Sequence, residues 1–399
     1  MKLIFAIFAC ATFMGMNNAI AQENDFETWL AGFRAEASAA GIQAEIIDEA
    51  FAGISINSRV YELNDNQPEF SRAIWDYLDR AVSESRVSNA RVKIAEHRIL
   101  LSLIEETYGV DAEIIVAIWG LETSYGAILG SYDAIQALAT LAFEGRRTGY
   151  GRSQLIGALK IIQNGYASRS DLKGSWAGAM GHTQFIPTTY LAYAVDHDGD
   201  GRRDIWKNLG DVFASTANYL SVSGYRHNEA WGVEVNLPDD FDYALADSSI
   251  RKPLVEWAAL GASSTTSESL IARFDPNLRG KLLLPAGASG PTFIAFPNFD
   301  AIMKYNRSTA YALAVSFLSI AATGQDPSVD SSWPRDDRPL ALSERKALQQ
   351  ALADRGYSPG PIDGIIGAGT KKALRNWQKA TGRPADGYAS VAVLNALTL

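Results

Sequence analysis

The chain has 399 residues, 47% of them hydrophobic and 20% charged, a composition that excludes a disordered or fibrous protein and leaves ample length for two or three packed domains. Its formal net charge of -9 argues against a nucleic-acid partner, whose phosphates such a surface repels. One cysteine, Cys10, excludes a disulfide framework, so stability has to come from the core.

Residues 1–21 open with Lys2, continue through an apolar centre and end in Ala19-Ile20-Ala21, the small-x-small pattern that precedes a cleavage site. We expect an export signal, cleaved near Ala21. A membrane anchor fits less well, because the apolar run falls short of the ~20 residues a span needs and Asn17 and Asn18 interrupt it. Ile7-Phe8-Ala9-Cys10 has lipobox character but lies early, which leaves lipid anchoring through Cys10 a minor alternative. The mature chain would lose Lys2 but no carboxylate, taking the charge from -9 to -10, and would hold no thiol.

From about Asp25 to Leu220 apolar residues recur at spacings of three and four, as in Ile99, Leu100, Leu103 and Ile104, which predicts a mainly α domain. Between Trp231 and Pro297 the pattern shifts to short β-branched and apolar runs, such as Val233-Glu234-Val235-Asn236-Leu237, which predicts a small β-containing insertion. Helical pattern returns from Asp300 to Ala322. Residues 323–340 are polar and proline-bearing without periodicity, as a linker is. Residues 341–399 then form a small unit whose helical patterns, Arg345 to Arg355 and Thr370 to Ala380, flank a glycine-rich turn. The expected organisation is therefore a signal over 1–21, a main domain over 22–322, a linker over 323–340 and a terminal domain over 341–399.

Glu122 ends a segment, Ile114 to Trp119, whose residues suit burial on every face of a helix. At a helix C-terminus the dipole and low polarity both disfavour a charged carboxylate, so the acid is expected to keep its proton at higher pH, as a general acid requires. Alone, the pattern equally fits a glutamate paired to an arginine. A second segment, Gly174 to Pro187, carries three glycines and two alanines with Ser175 and Gln184 among them, which permits close backbone approach to a ligand or to another element.

Glu122-Thr123-Ser124-Tyr125-Gly126, then Gly174 to Pro187, then Tyr305-Asn306-Arg307-Ser308-Thr309-Ala310-Tyr311 together resemble the signature of B-type lytic murein transglycosylases. That family has a lysozyme-like α fold, and the resemblance spans residues 25–322. It implies that Glu122 is the catalytic acid and base and that Ser175, Gln184 and Asn306 line the cleft, with Tyr305 and Tyr311 nearby. Arg146 and Arg147 match the family's basic pair, Tyr150 its following aromatic and Tyr219 a cleft aromatic. By the same resemblance the substrate is the β-1,4 bond between N-acetylmuramic acid and N-acetylglucosamine, and the product is a 1,6-anhydro end. Most glycosidases use two carboxylates unless the substrate supplies a group. Asp133, eleven residues on, and Glu144, before the basic pair, are weak partners for Glu122, and the acidic cluster at 196–204 has another role, so a single-acid mechanism fits better. The alternatives are a hydrolytic muramidase and a non-catalytic wall-binding protein.

Asp196, Asp198, Asp200 and Asp204 stand at positions one, three, five and nine of a loop with Gly201 at six, the EF-hand alternation, and the Arg202 carbonyl would face a bound ion. Position twelve is Lys207, so Asp211 is expected to close the site, with Asp204 as its rival. The expected ion is Ca2+ in a structural role, and no cofactor is expected for the chemistry. Residues 342–399, with Gly356-Tyr357, Asp363-Gly364, Thr370, Leu374 and Trp377, resemble the small three-helix peptidoglycan-binding domain. Together these features imply a periplasmic enzyme, monomeric, whose partner is the glycan strand of peptidoglycan, with other cell-wall enzymes as candidate partners.

Overall fold

The structure is a computed structural model that describes residues 24–65, 72–327 and 329–399. The expected signal over 1–21 and Cys10 lie outside these residues. Among the described residues, no helix is long and apolar enough to cross a membrane.

The chain forms two compact units, the first from described residues up to 65 with Trp119–Tyr219, the second from described residues of Pro68–Ile118 with Leu220–Leu399. Helices α1 (residues 24–39), α2 (Ala44–Phe51) and α3 (Ser58–Asp65) begin the first unit, followed in the second by α4 (Ile74–Ala81), α5 (Glu84–Glu96) and α6 (Arg98–Tyr108). Helix α7 (Ala112–Thr123) contains the division between the units.

In the first unit, strand β1 (Tyr132–Asp133) leads into α8 (Ala134–Phe143), then α9 (Thr148–Gln163), strand β2 (Lys173–Gly174), α10 (Pro187–Tyr193) and most of α11 (Leu209–Val222). Helix α8 is buried from Ala134 to Ala142 except at half-buried Gln136, and its alanines let α9 approach so closely that a Cβ on Gly151 would lie 2.4 Å from the Ala142 nitrogen. The carboxylate of Asp133 caps α8 by accepting from the Gln136 amide at 3.0 Å. Phe26, Trp29, Phe33 and Phe143 pack ring on ring at 5.2 to 5.8 Å, closing α1 over this core. Strands β1 and β2 pair antiparallel in a two-residue ladder, Tyr132 with Gly174 and Asp133 with Lys173.

The second unit contains the β insertion, now seen as a five-stranded antiparallel sheet in the order β4-β6-β7-β3-β5. Its strands are β3 (Gly232–Asn236), β4 (Lys252–Pro253), β5 (Ser263–Ser264), β6 (Arg279–Leu283) and β7 (Thr292–Ala295). β3 alternates, burying Val233 and Val235, while β7 is buried throughout. Helices α12 (Leu254–Ala259) and α13 (Leu270–Arg273) cover the sheet, with Trp257 at its centre donating from Nε1 to the Gly280 carbonyl at 3.0 Å. Helices α14 (Pro297–Tyr305) and α15 (Thr309–Ala322) follow, and the Arg91 guanidinium donates twice to the Ala321 carbonyl at the end of α15.

The segment 323–340 is irregular, and its described part is fastened to the same unit. Arg335 forms a two-pronged pair with Asp79, at 2.7 and 3.0 Å, and Glu234 accepts from the amides of Asp330 and Ser331. The terminal region has three helices, α16 (Leu342–Asp354), α17 (Ala368–Ala380) and α18 (Val391–Thr398), around Leu348, Leu352, Leu374, Trp377 and Leu397. Trp377 is a core residue there.

Candidate active site

Six consecutive residues of α7, Ile114 to Trp119, are buried, and the helix then surfaces at Leu121 and Glu122, both half-buried. It stops abruptly. Ser124, Tyr125 and Gly126 all take left-handed backbone conformations, with φ of 50°, 60° and 84°. Two of the three are not glycine, a strain of about 1–3 kcal/mol each that the surroundings must hold in place.

The restraint is visible. Thr123, 1% exposed, donates from Oγ1 to the His182 carbonyl at 2.7 Å and accepts from the Gly126 amide at 3.1 Å. One turn earlier, Trp119 donates from Nε1 to His182 Nδ1 at 2.9 Å. The imidazole therefore carries its proton on Nε2, and burial pushes its pKa down against the opposing effects of the Trp206 backbone and the Asp204 charge. Gly126 has to be glycine here for a second reason, since a Cβ would lie 2.3 Å from His182 Cε1. The Glu122 backbone is thus bracketed by two residues that both bond to His182.

The loop from Gly174 to Phe185 organises the remaining candidates of the first unit. Its backbone doubles back through bonds from Ser175 N to the Ala179 carbonyl, 2.8 Å, and from Met180 N to the Phe185 carbonyl, 2.9 Å. Ser175 Oγ accepts from the amides of Ala177 and Ala179. Gln184, itself at φ 54°, donates to the carbonyls of Leu129 and Gly181, which fixes the loop to the chain just after Glu122. Tyr150 donates to the Ala177 carbonyl at 2.8 Å, and burial pushes its phenol up to about 12. The Arg147 guanidinium lies over the rings of Tyr150 and Trp176, and Arg146 donates to the Asn64 carbonyl. Tyr219 packs on Tyr193 at 4.7 Å and on Phe185 at 5.9 Å.

One loop therefore connects the surroundings of Glu122, Ser175, Gln184, Tyr150 and Tyr219. Asp133 is engaged elsewhere, capping α8 and paired with Arg169 at 2.5 Å. Trp119, Thr123, His182 and Trp176 were not singled out from sequence. They lie inside the segments that carry Glu122 and Ser175, but only the fold shows which of their groups meet.

Asn306, Tyr305 and Tyr311 belong to the second unit. Asn306 is exposed and extended just past α14, while the rings of Tyr305 and Tyr311 lie parallel, 3° apart in plane at 6.5 Å. Ser308 starts α15 by accepting from the Tyr311 amide, which sets the turn between them.

In the acidic loop, carboxylate oxygens of Asp196, Asp198 and Asp211 all lie within 4.8 Å of one another. Asp211 is fully buried, accepts from the amides of His197 and Asp204, and has its pKa raised by burial and by the charges of Asp198 and Asp196. Asp204 instead caps Trp206 and Lys207, and Asp200 accepts from the Arg202 amide. Three converging carboxylates with one wholly buried are a hard-oxygen donor set suited to a cation such as Ca2+.

A mainly helical, lysozyme-like domain with a half-buried acid at the end of its central helix, followed by a helical terminal domain, defines a class of cell-wall glycosidase fold. Residues 25–320 match the transglycosylase SLT domain family and residues 342–397 a peptidoglycan binding domain. The chain belongs to the transglycosylase SLT family. It is 31% identical over 290 residues to membrane-bound lytic murein transglycosylase B of Escherichia coli K12, covering 69% of this chain and 77% of that protein. The crystal structure of SltB3 from Pseudomonas aeruginosa in complex with NAG-anhNAM-pentapeptide superposes with a TM-score of 0.90 at 48% identity, covering 94% of this chain and 99% of that one. Escherichia coli Slt35 in complex with calcium superposes with a TM-score of 0.62 at 29% identity, covering 75% and 93%.

Proposed function

We propose that this lytic murein transglycosylase cuts the β-1,4 bond between N-acetylmuramic acid and N-acetylglucosamine, with Glu122 as its one acid and base. Glu122 protonates the bridging oxygen as the C1–O bond breaks, assisted by the muramic acetamido oxygen. Asn306 orients that acetamido group. The resulting carboxylate then removes the proton from the C6 hydroxyl of the same sugar, whose oxygen closes on C1 as a 1,6-anhydro ring. The proton returns to Glu122, so the cycle is complete without water as nucleophile. An oriented intramolecular hydroxyl has an effective concentration of roughly 10^5 to 10^8 M, far above that of water, which favours ring closure.

The observation that carries this reading is the double tie from Trp119 and Thr123 to His182, which fixes the backbone on either side of Glu122 at the end of a buried helix. Ser175, Gln184, Arg146, Arg147, Tyr150, Tyr219, Tyr305 and Tyr311 are assigned to substrate binding. Residues 22–322 are the catalytic domain and 341–399 the wall-binding module, which raises the local concentration of substrate. The site of action is the periplasm, and the chain acts as a monomer. Asp196, Asp198 and Asp211 hold Ca2+ in a structural role, joined by Asp200 and by the carbonyl of Arg202.

Mass spectrometry of digested sacculi tests the reaction. Anhydro ends are lighter by one water than the reducing ends a muramidase leaves, so reducing ends alone would replace this reading with a hydrolytic one.

A further inference from the structure

The terminal helical domain is docked on the sheet region of the second unit, and the seam between them is a groove of about 660 Å³. Two polar ties hold the seam. Arg375 Nη2 pairs with Asp247 at 2.7 Å, and Asp386 Oδ2 accepts from the Ala288 amide at 2.8 Å. Packing is close here as well, since a Cβ on Gly287 would lie 2.7 Å from Asp386 Oδ2 and 2.8 Å from Tyr388 Cβ. The groove is thus a formed feature of the unit.

Its lining has apolar and polar parts. Ile74, Leu282, Phe299, Met303 and Ile366 contribute hydrocarbon, and Lys281, Lys371 and Arg375 contribute positive charge. Two of these cations are already matched, Lys281 by Asp300 at 2.6 Å and Arg375 by Asp247. The acid at the seam, Asp386, spends its oxygens on Gln378, the Tyr388 amide and the Ala288 amide. Lys371 has no carboxylate within ion-pair distance among the described residues. Solvent reaches its side chain, yet desolvation first and the charge of Arg375 second push the ammonium pKa down. An unmatched cation beside a second cation, in a groove with apolar walls, is arranged for an anionic guest that carries small hydrocarbon groups.

We propose that this groove binds the free carboxylate of a peptidoglycan stem peptide, with Lys371 as the charged contact and the apolar walls taking the peptide's aliphatic side chains. The inference rests on the reading of the terminal domain as wall-binding and names the part of the wall it holds. The glycan sugars are neutral once the lactyl group is amide-linked, so the anions of the polymer are those of its peptides. The volume lies within the 300–1,000 Å³ typical of small-ligand sites.

The test uses the full mature chain and a synthetic stem tripeptide, as free acid and with its carboxyls amidated, in isothermal titration. The free acid is expected to bind wild-type protein, to bind Lys371→Met at least tenfold more weakly, and to recover most of that loss with Lys371→Arg. The amidated peptide is expected to bind wild-type protein no better than the acid binds Lys371→Met. Equal binding of acid and amide, equal binding to wild type and Lys371→Met, or no binding of the acid at millimolar concentration would each overturn the proposal. Release of anhydro-muropeptides from sacculi by the wild-type protein, measured alongside, checks the enzymatic reading separately, so either idea can fail without the other.

Discussion

The indole of Trp119 and the imidazole of His182 share one hydrogen bond, Nε1 to Nδ1 over 2.9 Å, between a helix and a loop 63 residues apart in sequence. Four residues after Trp119, Thr123 bonds to the carbonyl of the same histidine. The turn between these anchors carries Glu122, so the position of the acid's backbone is set by His182, a residue that has no part in the proton transfers assigned above.

Thr123→Val keeps the shape and removes the hydroxyl. It leaves the His182 carbonyl and the Gly126 amide without their partner inside the protein, which costs about 1–3 kcal/mol. The looser turn is expected to lower kcat on sacculi by about tenfold or more with KM little changed, because catalysis is sensitive to displacements of about 1 Å. Urea unfolding and steady-state kinetics measure the two effects. Reduced stability with wild-type kcat would make the tie structural only.

His182 also gives a pH dependence with a definite sign. Its folded-state pKa lies below the ordinary imidazole value of 6.5, with burial as the largest cause, so the native protein prefers the neutral ring. The stability this group contributes is therefore present above pH 6.5 and is lost as pH falls from there through the folded value. Wild-type Tm is expected to drop over that window. His182→Gln, which can still accept from the Trp119 indole through its amide oxygen, is expected to show a shallower drop; the same slope in both proteins would assign the effect to other groups.

Glu122→Gln is isosteric and keeps a polar group at the end of α7, so the circular-dichroism spectrum and Tm are expected to match wild type. Release of muropeptides from purified sacculi should fall to background, because an amide can neither give up nor recover the proton. Substantial turnover by this variant would remove Glu122 from the mechanism.

The segments that carry the site were visible as sequence because their chemistry is local. A helix that is apolar from Ile114 to Leu121 and then reaches Glu122, and a glycine-laced run with Ser175 and Gln184, both announce themselves by composition. The two-residue β1–β2 ladder did not, since Tyr132, Asp133, Lys173 and Gly174 have no periodicity to read. The polar, proline-bearing stretch before α16 has linker composition, yet Arg335 with Asp79 and Glu234 with the Asp330 and Ser331 amides fasten it. Such ties join residues about a hundred or more positions apart, and no local pattern encodes them. His182 escaped notice for the same reason, since its role lies in what its ring and carbonyl meet.

The terminal domain offers a stability test independent of catalysis. Gln349, 1% exposed, accepts from the Gly364 amide at 2.7 Å and donates to the Ile365 carbonyl and Thr370 Oγ1, holding the glycine-rich turn against α16 and α17. Gln349→Ala is expected to destabilise this region by about 1–3 kcal/mol through the unpaired groups it leaves. Co-sedimentation with sacculi should weaken in parallel. Unchanged sedimentation by a demonstrably unfolded terminal region would place wall binding elsewhere.

Calcium is expected to act through Asp211. Burial and the charges of Asp198 and Asp196 disfavour its carboxylate, and only the His197 and Asp204 amides oppose them, so a divalent cation between the three acids relieves a repulsion that the fold otherwise has to sustain. At a free calcium concentration of a hundred times Kd the gain would be about 2.7 kcal/mol, which raises Tm by a few degrees, and magnesium should do less because it resists such a flexible oxygen cage. Asp211→Asn removes a ligand and its charge but also one of the two oxygens that accept from the His197 and Asp204 amides, so the decisive readout is its response to calcium, which should disappear whatever its Tm in chelator. Differential scanning fluorimetry of both proteins, with chelator and with added calcium, reads this directly, and a wild-type Tm that neither addition moves would show that the three carboxylates hold no ion.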